Sequence, residues 1–208
     1  MNCRAYFYTH MKKEILVFAT VLLIGCGKKI SSDALVPSVV TESVIGDSDD
    51  PAIWIDSLHP ENSIVLGTDK DEENGGLYVF DLKGRIDRSR TRTGMKRVNN
   101  VDVAYGFNWD GKQIDIAVCT ERTLDRIRVY RLLDMTEIDG GGLPVFEGES
   151  IRSPMGVALY RRPSDSAMFV IVGRKAGPRE GYLAQYRLQQ DIQQITPCQP
   201  EPHQSLSC

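Results

Sequence analysis

SIVLGTDKDEENGGLYVFDL, residues 63–82, is an apolar run that ends in Asp69-Lys70, crosses a polar loop and returns as a second apolar run. The same layout recurs as DIAVCTERTLDRIRVYRL at 115–132 and as MFVIVGRKAGPREGYLAQYRL at 168–188. Each copy has a strand-like run, a basic residue at its polar end, a loop of variable length, and an aromatic ahead of the last leucine. Ile64 to Lys70, Ile116 to Arg122 and Phe169 to Lys175 are each six residues, and the basic positions step by 52 and 53. Another short β-type run precedes each copy, at AIWI, NVDVAY and MGVALY. No helical period is sustained between Asp50 and Leu188, where Gly and Asp punctuate short runs. A period near 50 residues built of about four strands marks a β-propeller blade, so the expected fold is all-β, with about three blades over residues 47–188.

Equivalent positions in successive blades lie on one rim and converge on the axis. Lys70, Arg122 and one of Arg174 or Lys175 are therefore expected as a basic cluster around one mouth. Arg174 and Lys175 compete for the third place, because both stand at the polar end of the third run.

Ahead of the first blade stands GDSDDPAIWID, residues 46–56, with Asp47, Asp49 and Asp50 crowded before Pro51. Like charges this close repel, and each carboxylate resists desolvation. Either the turn is solvated and stopped by the proline, or the carboxylates face a cation.

The 208 residues are 41% hydrophobic with a net charge of -3, which suits a globular domain and offers no basic excess for nucleic acid. Residues 11–26, MKKEILVFATVLLIGC, place two lysines before an apolar run that is short for a membrane span and has the layout of a signal peptide. Gly25-Cys26 resembles a bacterial lipobox, so Cys26 is expected to be acylated and to anchor an exported protein to the cell envelope, at the outer membrane. Residues 1–10 sit ahead of that signal, and Met11 is an alternative start. The expected organisation is a signal segment over 1–26, a linker over 27–46, the blades over 47–188 and an irregular tail over 189–208. Cys3, Cys119, Cys198 and Cys208 are scattered and form no disulfide framework, with Cys119 read as a small buried residue. The three histidines, His10, His59 and His203, fall in the presequence, a loop and the tail, and none is a candidate nucleophile.

DDPAIW at 49–54, NNVDV at 99–103 and the basic strand ends together resemble the β-propeller phytases, over about 47–188. These are calcium-dependent phosphatases that hydrolyse myo-inositol hexakisphosphate on a six-bladed propeller. The resemblance implies that Asp49, Asp50, Asn99, Asn100 and Asp102 contribute to calcium binding, in keeping with the oxygen donors this hard ion takes. It implies that Lys70, Arg122 and Arg174 or Lys175 grip substrate phosphates, and that calcium-activated water attacks phosphorus without a covalent intermediate. No side chain is assigned as the catalytic group. The implied activity is of the 3-phytase type, with phytate or other inositol phosphates as partners.

Two residues depart from the family pattern. Met155 stands where many members carry a tyrosine near the metals, and Ala104 stands where arginine often follows NNVDV. The family's remaining calcium-binding carboxylates come from later blades, and after Leu188 the chain reads QQDIQQITPCQPEPHQSLSC, which resembles no further blade. The expectation is a truncated propeller that binds phosphate weakly and hydrolyses little by itself, with a second chain completing the ring as one alternative. A non-catalytic module binding a phosphorylated ligand or a protein is the other reading. A propeller lactonase is disfavoured by DDPAIW together with NNVDV.

Overall fold

The computed structural model describes residues 31, 33–189, 192 and 195–197. The chain divides into two compact units, residues 1–38 and 39–208, and every strand among the described residues belongs to the second. The signal segment, Cys26 and most of the tail lie outside the described residues.

The described chain forms antiparallel sheets and two short 3-10 turns, with no α-helix among the described residues. The first sheet runs in chain order through β1 (Ser48–Trp54), β2 (Ile64–Asp69), β3 (Gly75–Phe80) and β4 (Arg92–Met95). The second runs through β5 (Val98–Trp109), β6 (Lys112–Glu121), β7 (Arg126–Arg131) and β8 (Thr136–Glu137), with β9 (Leu143–Pro144) also pairing β7. The third runs through β10 (Pro154–Arg161), β11 (Met168–Arg174), β12 (Leu183–Leu188) and β13 (Ile195–Pro197). Each sheet is a meander whose first strand lies beside the first strand of its neighbour, β5 packing against both β1 and β10. That is the arrangement of successive propeller blades.

β6 shows why the apolar runs are continuous. Along a strand, side chains alternate between faces. Ala117 and Cys119 enter a core with Ile64, Leu66, Leu77 and Val79 of the first blade. Ile116 and Val118 enter a second core with Val170, Val172, Tyr186 and Leu188 of the third. Blade 2 is thus covered on both faces and has no polar side to alternate with. Cys119 is a free, fully buried thiol, and burial pushes its pKa up.

The chain expected to be irregular after 188 returns to the sheet as β13, pairing Leu188 with Ile195 and Tyr186 with Pro197. Its three residues are too short for an alternation signal, which is why it was illegible.

The inner strands share one irregularity. In β1 the register jumps from Ser48↔Asp69 to Pro51↔Gly67, in β5 from Val98↔Glu121 to Val101↔Cys119, and in β10 from Pro154↔Arg174 to Val157↔Val172. Each is a bulge, with two residues on the inner strand opposing one on its partner. Asp49-Asp50, Asn99-Asn100 and Met155-Gly156 are therefore structurally equivalent pairs, facing Thr68, Thr120 and Gly173.

Candidate phosphate and metal site

The bulges put the polar dipeptides at one end of the inner strands, and two threonines lock them to the next blade. Thr68 Oγ1 accepts from Asp50 N–H (2.8 Å) and donates to the Asn99 carbonyl (2.6 Å). Thr120 Oγ1 accepts from Asn100 N–H (3.2 Å) and donates to the Met155 carbonyl (2.7 Å). A carboxylate crosses each seam as well. Asp50 Oδ2 accepts from Val101 N–H (3.1 Å), and Asp102 Oδ2 accepts from Leu159 N–H (2.7 Å).

The basic residues follow directly. Lys70, Arg122 and Lys175 each come one position after strands β2, β6 and β11, and each backbone N–H is fixed in the same way. Lys70 N–H donates to Asp47 O (2.8 Å), Arg122 N–H to Arg97 O (3.1 Å) and Lys175 N–H to Ser153 O (2.9 Å). The acceptors are the residues immediately before the three inner strands. This recurrence makes Lys175, not Arg174, the equivalent of Lys70 and Arg122. Arg174 is the last residue of β11, buried at 7% exposure. It bonds Ile151 O (3.1 Å), pairs with Glu149 (3.2 Å) and lies 4.1 Å from the Phe146 ring centroid. That makes Arg174 part of blade 3's packing, whereas Lys175 is exposed.

Lys70 Nζ lies 3.3 Å from both Asp47 Oδ1 and Asp49 Oδ1. Desolvation opposes its charge, but hydrogen bonds and charge from Asp47 and Asp49 outweigh that and raise its pKa. Arg122 differs. Its Nε and Nη2 are buried with no partner among the described residues. Desolvation and then the nearby Arg97 charge push its pKa down, while Asp49 pushes back. Arg122 nevertheless remains cationic at neutral pH. Asp49 thus acts on both Lys70 and Arg122.

Asp49 Oδ2 accepts from Asn99 Nδ2 (2.9 Å), leaving the buried Asn99 Oδ1 without a partner, as is Asn100 Oδ1. Buried polar atoms are nearly always satisfied, so two such amide oxygens at consecutive positions are donors that fit a cation. Together with the Asp49 and Asp50 carboxylates they are the donor chemistry a hard cation takes. No group of three His, Cys, Asp or Glu side chains suited to a metal occurs among the described residues, so the set rests on mixed carboxylate and amide oxygens. Asp102 sits beyond the bulge. Its Oδ1 accepts from Val103 N–H (2.8 Å) while Oδ2 ties β5 to β10, which gives it a seam-holding role. Ala104 is a buried core residue, and Met155 offers the mouth its backbone carbonyl to Thr120.

Sequence reasoning set Asp47 aside and did not find Arg97, Thr68 or Thr120. Extending the blade superposition back to the residue before each inner strand would have aligned Asp47 with Arg97 and Ser153.

The family model described as Phytase matches residues 13–192. A curated relative, 3-phytase of Bacillus subtilis (strain 168), is 33% identical over 141 residues, covering 65% of this chain and 35% of the relative. The chain therefore spans about a third of that relative's length.

Proposed function

The chain belongs to the phytase family, and from that premise we propose that its blades bind the phosphates of myo-inositol hexakisphosphate for a 3-phytase-type phosphomonoester hydrolysis. The observation that carries this reading is Arg122. A guanidinium with Nε and Nη2 buried and unpartnered lacks a bidentate acceptor, and a phosphate group supplies one. Lys70 and Lys175, held at the equivalent positions of the flanking blades, contribute point charges to other oxygens of the same polyanion.

Asp49, Asp50, Asn99 and Asn100 are the residues proposed to hold calcium, with Asp102 supporting them from the seam. When bound, calcium neutralises phosphate charge and acidifies a coordinated water. The protein's own part is to orient the phosphate against Arg122 and to hold Asp49 against Lys70 and Asn99. Further blades, from a downstream stretch or a second chain, supply the remaining carboxylates in this proposal. Export with acylation at Cys26, and anchoring at the outer membrane, belong to the same reading. The succession Lys12-Lys13, apolar run and Gly25-Cys26 supports it.

Phytate binding and phosphate release, each measured with calcium and with a chelator, test the proposal. Binding strengthened by calcium and weakened at least tenfold by Arg122→Ala is the expected result. Phytate binding without release by the 208-residue chain, with release restored once further blades are joined to it, fits the incomplete ring. Phytate binding that ignores both calcium and Arg122 overturns the reading.

A further inference from the structure

The three residues that cap the basic positions differ in one chemically decisive way. Asp47, Arg97 and Ser153 each precede an inner strand and each accept the N–H of the basic residue. In blade 1 the pair is Asp47 with Lys70, which neutralise one another at 3.3 Å. In blade 3 it is neutral Ser153 with Lys175. In blade 2 it is Arg97 with Arg122, two guanidiniums where the fold elsewhere places an acid or a hydroxyl beside the cation.

We propose that Arg97 and Arg122 together form a two-arginine seat for a single phosphate group, and that this seat, not Lys70, is the tightest anion position on the rim. The inference rests on the phosphate-binding reading above and names a residue that reading does not use.

Four observations support the seat. Arg97 Nε, like Arg122 Nε and Nη2, is buried without a partner among the described residues. Arg97 Nη1 is held by Glu72, which fixes the guanidinium without consuming Nε. Glu72 is 67% exposed at its side chain, so solvent weakens its neutralising effect on Arg97. Arg97 also has φ 58°, a left-handed conformation uncommon outside glycine. That backbone is pinned on both sides, by Arg97 N–H to Asp71 O (3.0 Å) and by Arg97 O to Arg122 N–H. The backbone bond from Arg122 N–H to Arg97 O joins the two residues, and like charges on neighbouring residues are relieved by an anion. Lys70 offers no such opening, since Asp47 and Asp49 already occupy its ammonium.

Calorimetric titration of the whole 208-residue chain with inorganic phosphate at low ionic strength tests the seat. Arg97→Gly and Arg97→Asn both tolerate the left-handed backbone, and thermal melts verify that each is folded. Both are expected to weaken phosphate about tenfold, as Arg122→Ala does, with the Arg97→Gly/Arg122→Ala double variant little worse than either single. Arg97→Lys keeps the charge without the fork and should lose only a few-fold. Lys70→Ala, which removes a charge already shared with Asp47 and Asp49, should lose less than Arg122→Ala. Lys96→Ala, which removes an equal charge one residue away, should leave it within twofold.

Phosphate binding that is indifferent to Arg97, or a loss on Lys96→Ala equal to that on Arg97→Gly, overturns the seat while leaving the phosphate-binding reading intact. So does a larger loss on Lys70→Ala than on Arg122→Ala. Failure of the wild-type chain to bind either phosphate or phytate overturns both.

Discussion

Blade 2 carries two clusters of arginines, one on each side of Glu121, and they are built on opposite principles. On the sheet side, Arg128 is almost fully buried. Its Nε donates to Asp139 Oδ2 at 3.0 Å, Nη1 approaches Glu121 at 3.5 Å, Nη2 pairs with Glu137, and the group stands over the Tyr130 ring. Asp139 is completed by Val129 N–H (2.7 Å) and Gly141 N–H (3.0 Å), while Glu121 takes Arg126 Nε (2.6 Å) and Lys96 N–H (2.8 Å). One residue further on, Arg122 has Nε and Nη2 buried without a partner among the described residues. The lesson is that burial of charge is not by itself a functional sign. Where every donor is matched, the cluster holds the blade together. Where two donors of one guanidinium go unmatched, as at Arg122, the group is left to an acceptor from outside the chain.

The largest test of that contrast is Asp139→Ala, which removes the acceptor of Arg128 Nε and of the Val129 and Gly141 N–H groups while Glu121 and Glu137 stay paired with the guanidinium. The expected cost is about 3–5 kcal/mol in urea unfolding, because several buried donors lose their acceptor at once. A loss below about 1 kcal/mol would show the two clusters to be of one kind.

The interblade threonines come next. Thr68→Val and Thr120→Val preserve shape but leave a carbonyl and an amide unpaired at each seam. Each should cost about 1–3 kcal/mol by the same measurement. Equal losses would mark the two seams as equivalent.

Arg122→Ala sharpens the comparison from the other side. Its stability should stay within about 0.5 kcal/mol of wild type, or rise, since no protein partner is lost. Phosphate affinity should fall in the same variant. A large destabilisation would move Arg122 into the structural class.

Acid unfolding gives the smallest effect. Ser89 and then Arg90 hold the Asp87 carboxyl down at about 2, against an ordinary 3.8. A carboxylate depressed on folding contributes stability that is fully present above its unfolded pKa and is lost as pH falls through the folded one. The melting temperature of Asp87→Asn should therefore match wild type near pH 2 and fall short of it above pH 4. The gap will be small, because the site is mostly solvated.

Strand existence, the three-blade period and the equivalence of Lys70 with Arg122 were readable, because each rests on short apolar runs and fixed spacing. The order of Arg174 and Lys175 was not. A bulge in the partner strand decides which residue emerges at the rim, and a bulge is a fact of pairing between strands, absent from either strand alone. Asp102 was read with Asn99 and Asn100 as one motif, yet it lies beyond the bulge, where its carboxylate staples two blades. Arg97 was missed for a different reason. It lies in the turn before β5, outside the runs that were superposed, and the hydrogen bond from Arg122 N–H places it with Asp47 and Ser153.

The repeated bulge also makes the inner strands behave like a typewriter carriage with exchangeable type. Flanking pairs such as Ser48↔Asp69 and Pro51↔Gly67 carry the ladder, so the two intervening residues are free to spell different chemistry in each blade: Asp-Asp, Asn-Asn, Met-Gly. A dipeptide can be overwritten there without retyping the strand around it. On such a frame the ligand set of the mouth can drift blade by blade while the architecture stays the same, and transplanting Asp-Asp into the Met155-Gly156 slot would be an edit of the text alone.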